Sequence, residues 1–147
     1  MSQILPIQWE PKYSVHVPII DTQHRKLFDI VNSLIEDLES GTEDLLPSIR
    51  DMVNYLATHF HQEDIVMMDS QFPGYMKHND DHQRFIRKVE DFLRAYQAGD
   101  QDLGMKMVLF MKDWLYNHTT KMDMLYADHI LKNADRLKRL GKVTLDF

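Results

Sequence analysis

The 147-residue chain contains no cysteine. That absence excludes disulfides, thiolate zinc sites, cysteine-ligated iron–sulfur clusters and thiol catalysis. Basic residues are outnumbered, with 17 Lys and Arg against 23 Asp and Glu and a net charge of -6. This balance argues against nucleic acid and anionic membranes as partners, since both are read by basic surfaces. No run approaches the roughly 20 apolar residues of a membrane span. The N-terminus, MSQILPIQWEPKYS, lacks the basic-then-apolar order of a secretory leader. With no cysteine to mark an oxidising compartment, the expected location is the cytoplasm. Glycine and proline number five each, and no period-two strand pattern, internal repeat or long linker is visible. Histidine is what the chain has in excess, with eight residues.

The few glycines and prolines fall where helices would be punctuated. Residues 1–18 carry Pro6, Pro11 and Pro18 and read as an extended arm. From about Ile20 to Ser40, the residues Leu27, Ile30, Val31, Leu34, Ile35 and Leu38 recur at helical spacing. Gly41 ends that run. A second helix reaches about Asp69 with Ile49, Met52, Val53, Leu56, Phe60 and Met67 on one side, and Pro73-Gly74 breaks it. A third spans about Tyr75 to Ala98, and a fourth starts near Asp102, its beginning weakened by Gly104. Four such helices with short connections predict an all-α, up-down-up-down four-helix bundle in a single domain. The expected divisions are an arm over 1–18, the bundle over 19–128 and a tail over 129–147. That tail carries a short basic helix from Ile130 to Leu140, read as a solvated face closing the bundle.

Periodicity assigns most of the histidines to the core. His24 precedes Leu27 by one turn. His59 and Glu63 are four apart and extend the line of Met52 and Leu56; His78 and His82 repeat that spacing and run into Phe85 and Val89; His118 follows Met111, Trp114 and Leu115. In an up-down bundle, the starts of the first and third helices lie level with the ends of the second and fourth. All six side chains therefore converge, and Leu38, Leu45, Ile49, Phe92, Tyr96 and Val108 are left as an apolar plug at the other end. A lone inward histidine is ordinarily a hydrogen-bonded core residue. Five with a glutamate would each cost about 1–3 kcal/mol if left unpaired, and a bound cation removes that cost.

Five imidazoles and a carboxylate exceed one tetrahedral zinc, so two metals bridged by carboxylates are the economical solution. Asp123 is the best second bridge, ahead of Asp113 and Asp128. It follows His118 by five residues, about 500° of regular helix, which leaves it about 140° off the face. Either the helix is distorted there or the short side chain approaches from beside the site. Mixed imidazole and carboxylate ligation suits iron over magnesium or calcium, with zinc and manganese still open. No Glu-x-x-His motif of the carboxylate-rich di-iron bundles is present, Asp21-x-x-His24 being the nearest spacing. A site so poor in anions has little to stabilise high-valent iron. It can pass two electrons and a proton to dioxygen without changing its net charge, which favours reversible O2 binding over oxygenation.

These residues resemble the hemerythrins, in particular the bacterial ones, over nearly the whole chain from Trp9 to about Tyr126. The resemblance lies in Ile20-Asp21-x-Gln23-His24, His59-Phe60-x-x-Glu63-Asp64, Phe72-Pro73-Gly74-Tyr75 leading to His78-x-x-x-His82, and Trp114-Leu115-x-x-His118-x-x-x-x-Asp123. It implies that His78, His82 and His118 bind one iron, that His24 and His59 bind the other, and that Glu63 and Asp123 bridge both beside an oxo or hydroxo group. It further implies that O2 binds as hydroperoxide at the two-histidine iron, with Leu115 shielding it from water. Thr119 stands where the family usually has Ile. Its hydroxyl either bonds back to the helix while the methyl packs, or orders water near the ligand and speeds autoxidation. His16 stands where the family's arm usually has Gly, and a surface or arm contact rather than a ligand role is expected of it. His61 and His129 are expected to be solvated, and the methionines to be packing residues.

The function so implied is non-enzymatic O2 binding for storage, delivery or scavenging, with no protein partner specified. The alternatives are an O2, NO or redox sensor coupled to a signalling partner, a di-iron peroxidase or NO-reducing enzyme, and a zinc-stapled structural domain.

Overall fold

A computed structural model describes residues 4–100 and 102–146. The first three residues of the expected arm and Phe147 of the expected tail lie outside the described residues. Four long helical segments dominate, and no strand occurs among the described residues. They are α1 (Pro18–Glu39), α2 (Leu46–Asp69), α3 (Tyr75–Gln97) and a fourth made of α4 (Leu103–Asn117), a π-helical turn (His118–Met122) and α5 (Asp123–Lys132). A short α6 (Ala134–Leu140) follows.

The boundaries have local causes. Pro18 opens α1 at its first turn, where the lost N–H costs nothing and φ is already helical. Gly41 takes φ +78 just beyond the end of α1, a left-handed backbone that suits glycine. Gly104, expected to weaken a helix, is buried instead: a Cβ there would lie 3.3 Å from Leu45 Cδ1, so its small size lets α4 pack closely. The helices pack as α1–α2, α2–α3, α3–α4 and α4–α1, the four sides of an antiparallel bundle.

The arm is less extended than expected, because Pro11–Tyr13 forms a 3-10 turn. Asp21, at the start of α1, pins the arm by accepting from Ser14 Oγ at 2.5 Å and from the Val15 backbone N–H at 2.9 Å. His16 takes φ +66, a conformation natural to glycine, and its carbonyl accepts the Asp146 N–H at 2.8 Å, an arm-to-tail contact. The fourth helix also passes the boundary expected at 128. Ala127 and Ile130 remain buried on it against Val15, Val17, Ile20, Val66 and Met67, and the helix stops only at Lys132. Leu137 of α6 joins the same cluster.

Two apolar clusters result. The larger contains the plug residues Leu45, Ile49 and Val108, with Leu38, Phe92 and Tyr96 packed against it. The smaller, built by arm, α5 and tail, closes the opposite end. Met52, Met67, Met107 and Met111 are fully buried packing residues, as expected, whereas Met68, Met76 and Met105 are exposed.

Candidate metal centre

Between those clusters lie seven buried ionisable side chains: His24 from α1, His59 and Glu63 from α2, His78 and His82 from α3, and His118 and Asp123 from the fourth helix. The helical spacing of four brings each pair on α2 and α3 to one face. Asp123 arrives by the distortion that the sequence left open. Its backbone N–H bonds the His118 carbonyl, closing an i→i+5 turn. One extra residue in the turn carries Asp123 round to the face of His118, with Oδ1 3.0 Å from His118 Nε2.

Each carboxylate divides its two oxygens between two sets of imidazoles. Glu63 Oε1 lies 2.6 Å from His59 Nε2 and 3.6 Å from His24 Nε2, whereas Oε2 lies 3.6 Å from His78 Nε2 and 4.0 Å from His82 Nε2. Asp123 Oδ2 is 3.0 Å from His24 Nε2, and Oδ1 is 2.7 Å from His78 Nε2. The donor atoms therefore fall into two overlapping groups, His24, His59, Glu63 and Asp123 in one and Glu63, His78, His82 and His118 in the other, each gathered within 4.8 Å.

Protein hydrogen bonds do not satisfy this cluster. Both oxygens of Glu63, Asp123 Oδ2 and both ring nitrogens of His24 are buried without a hydrogen-bond partner, because the short contacts among them are misdirected. His82 Nε2 and His118 Nε2 face each other at 3.0 Å. The Nδ1–H of His118 is given to Asp81 Oδ2 at 2.8 Å, and that of His59 to Gln23 Oε1 at 2.8 Å, so the Nε2 lone pairs of both are free to point inward. Converging lone pairs and orphaned carboxylate oxygens fit a pair of cations, and the residues present fit a di-iron site.

Without metal, protons carry the compensating charge. Burial opposes the cation at His24, yet Asp123 and Glu63 beside it raise its pKa to about 9. His118 is likewise penalised by burial and raised to about 10, mainly by Asp123. Burial lowers His82 to about 3 and also lowers His59. Glu63 and Asp123 are held ionised by the histidines around them, although burial and, at Glu63, the charge of Asp123 oppose this.

Aromatic rings fix the imidazoles from the side. Phe60 stacks on His82 with centroids 3.8 Å apart, and Trp114 stacks on His118 at 4.3 Å. Tyr126 lies against His78 at 5.5 Å, its hydroxyl buried and without a partner and its pKa raised well above the ordinary value by burial first and Glu63 next. Tyr126 and Asp81 are not among the residues expected at the site, and Trp114 was expected only as a core-facing residue. Tyr126 follows Asp123 by one helical turn, and that spacing was the available signal.

The other singled-out residues divide. Leu115 is buried in the larger cluster. Thr119 is fully buried, but its hydroxyl has no hydrogen-bond partner, which corrects the expectation that it could bond back to the helix. His61 is exposed, as expected. His129 is not solvated: it is half-buried, and its Nε2–H is donated to the Ser70 carbonyl at 2.7 Å, tying α5 to the end of α2. Asp21 holds the arm rather than joining the cluster.

Residues 15–130 match the model of the hemerythrin HHE cation binding domain. The chain belongs to the hemerythrin family. Similar proteins of that family include a bacteriohemerythrin of Pseudomonas paraeruginosa, 28% identical over 88% of this chain and 84% of the relative. Another is a bacteriohemerythrin of Methylococcus capsulatus, 27% identical over 79% and 89% of the two chains. Hemerythrin subunit 2 of Golfingia vulgaris is 29% identical over 85% and 94%. Among solved structures, a hemerythrin mutant superposes with a TM-score of 0.75 at 24% identity, covering 84% of this chain and 96% of the other, so the hemerythrin bundle is shared.

Proposed function

We propose that this hemerythrin-family chain binds dioxygen reversibly at a pair of iron ions, as a binding protein rather than an enzyme, for storage, delivery or scavenging. The observation that carries the reading is the division of the oxygens of Glu63 and Asp123 between two histidine sets. A carboxylate so placed spans two cations, and two redox-active cations together can lend dioxygen two electrons and take them back. Family membership supports the coarser statement, a di-iron oxygen-binding type of protein. An iron pair held by these residues would lend two electrons to dioxygen on binding and recover them on release.

We assign His78, His82 and His118 to one ion and His24 and His59 to the other, with Glu63 and Asp123 shared. The unequal sets leave the two-histidine ion the natural place for an added ligand, since open coordination positions belong to the ion with fewer protein donors. Gln23 and Asp81 each fix one imidazole with Nε2 inward. Leu115 and Thr119, four residues apart on the fourth helix, are assigned to the ligand pocket, where the leucine excludes water. The second reading, redox sensing through easy oxidation, is favoured by one observation: Thr119 brings a buried hydroxyl with no protein partner, and such a group recruits water.

The test is a visible absorption spectrum of anaerobically reduced protein before and after air, with iron counted per chain. Two irons, a colourless reduced form and a band that disappears on deoxygenation are expected. Iron that oxidises at once without such a band overturns the carrier reading in favour of redox sensing. A metal other than iron overturns the oxygen reading altogether.

A further inference from the structure

The imidazoles of the two sets are not backed alike. On the three-histidine side, His118 gives its outer Nδ1–H to the Asp81 carboxylate at 2.8 Å. A second carboxylate stands behind His82, with Asp64 Oδ1 4.0 Å from His82 Nδ1 and both atoms buried without a hydrogen-bond partner. These are the two imidazoles whose Nε2 atoms face each other at 3.0 Å. On the two-histidine side, the outer partner of His59 is a neutral amide, Gln23 Oε1, and His24 Nδ1 has none. One position thus has a carboxylate hydrogen-bonded to an outer imidazole nitrogen and a second carboxylate 4.0 Å from another, with His78 Nδ1 unpartnered. Among the described residues, no carboxylate is hydrogen-bonded to an outer nitrogen of the other position. Neither carboxylate is deeply buried, the side chains being 23% exposed at Asp64 and 29% at Asp81, so solvent weakens their field without removing it.

A carboxylate behind a ligating imidazole orients the ring and makes its inner nitrogen a stronger donor, and losing such a partner commonly costs about 10–100-fold in metal affinity. From this asymmetry we infer that the position formed by His78, His82 and His118 is the tighter of the two, filling first and emptying last, with Asp81 as its positioning residue. The inference rests on the di-iron reading above and adds an order to it. The two-histidine ion is the exchangeable one, and the chain passes through a one-metal state during loading.

The experiment follows iron loss from anaerobically reduced, fully loaded protein into an excess of a ferrous chelator. Wild type is expected to lose its two irons in two resolved phases. Asp81→Asn keeps the shape and the acceptor oxygen but removes the charge; it should speed the slow phase about 10-fold or more and leave the fast phase unchanged, with rescue in Asp81→Glu. Gln23→Glu should slow the fast phase alone. Loosened packing would quicken both phases together, so an Asp81→Asn protein that does this overturns the inference. So does one that holds two irons and releases both at wild-type rates. If Asp81→Asn does not fold, Gln23→Glu decides, and an unaltered fast phase there is the overturning result. A wild-type chain that takes up fewer than two metal ions overturns the di-iron reading itself, a distinct outcome.

Discussion

The same four helices build two unlike regions. At the plug end, Leu45, Ile49, Met107 and Val108 close the core with side chains that have no polar atom to satisfy. At the level of His24 and Asp123, the core holds seven ionisable side chains, and seven of their N and O atoms lack any hydrogen-bond partner. Burial of apolar surface stabilises the first region whatever is bound. The second is stable only to the extent that protons or cations neutralise its crowded donors. The bundle can therefore fold around one end and carry an energetically unfinished site at the other.

That contrast is open to attack in order of expected effect. The largest comes from Glu63→Ala, which removes a carboxylate shared by both histidine sets. Bound metal should fall from two ions to one or none by metal analysis, while the helical circular dichroism persists because the plug is untouched. Next, Ile49→Ala should destabilise the loaded protein by about 2–5 kcal/mol in denaturant melts, the usual cost of a cavity, with metal stoichiometry unchanged. A metal count that fell in step with stability would show that the two regions are one cooperative unit.

Smaller is the effect of pH on the metal-free chain. His24 and His118 have pKa values raised to about 9 and about 10, so their stabilisation is complete below the unfolded value near 6.5 and is lost as pH climbs through those values. His82 and His59 are lowered, so theirs is present above about 6.5 and is lost as pH falls. Thermal melts of metal-free protein should therefore peak at about pH 6.5 and fall progressively towards about pH 10, and the alkaline fall should vanish on metal loading, which replaces the protons. The smallest pair compares two histidines outside the site. His129→Ala strands the Ser70 carbonyl and should cost about 1–3 kcal/mol, whereas exposed His61→Ala should stay within about 0.5 kcal/mol. Neither should alter the metal count.

Much of this was legible in the chain. The i, i+4 pairs His59–Glu63 and His78–His82 are one-turn neighbours on any regular helix, so their shared face needed no structure. The level at which the four helices bring them together followed from short loops and alternating direction. The position of Asp123 was not legible by helical arithmetic, because the π turn at His118–Met122 breaks the regular repeat. His129 was misjudged for a different reason: its acceptor, the Ser70 carbonyl, is 59 residues away, and no local period reveals it. The same holds for Asp81, whose neighbour on α3 points to the site while its own carboxylate reaches His118 on the fourth helix.

The sequence by itself determined the helices, their antiparallel order and the type of donor that each contributes, since periodicity and turn residues act over a few neighbours. Only the tertiary structure decided which oxygen of Glu63 and Asp123 faces which histidine, which imidazole is backed by a carboxylate, and that Thr119 is left without a partner. Those properties depend on ångström-scale distances between helices, which packing of the whole bundle sets and no local pattern encodes.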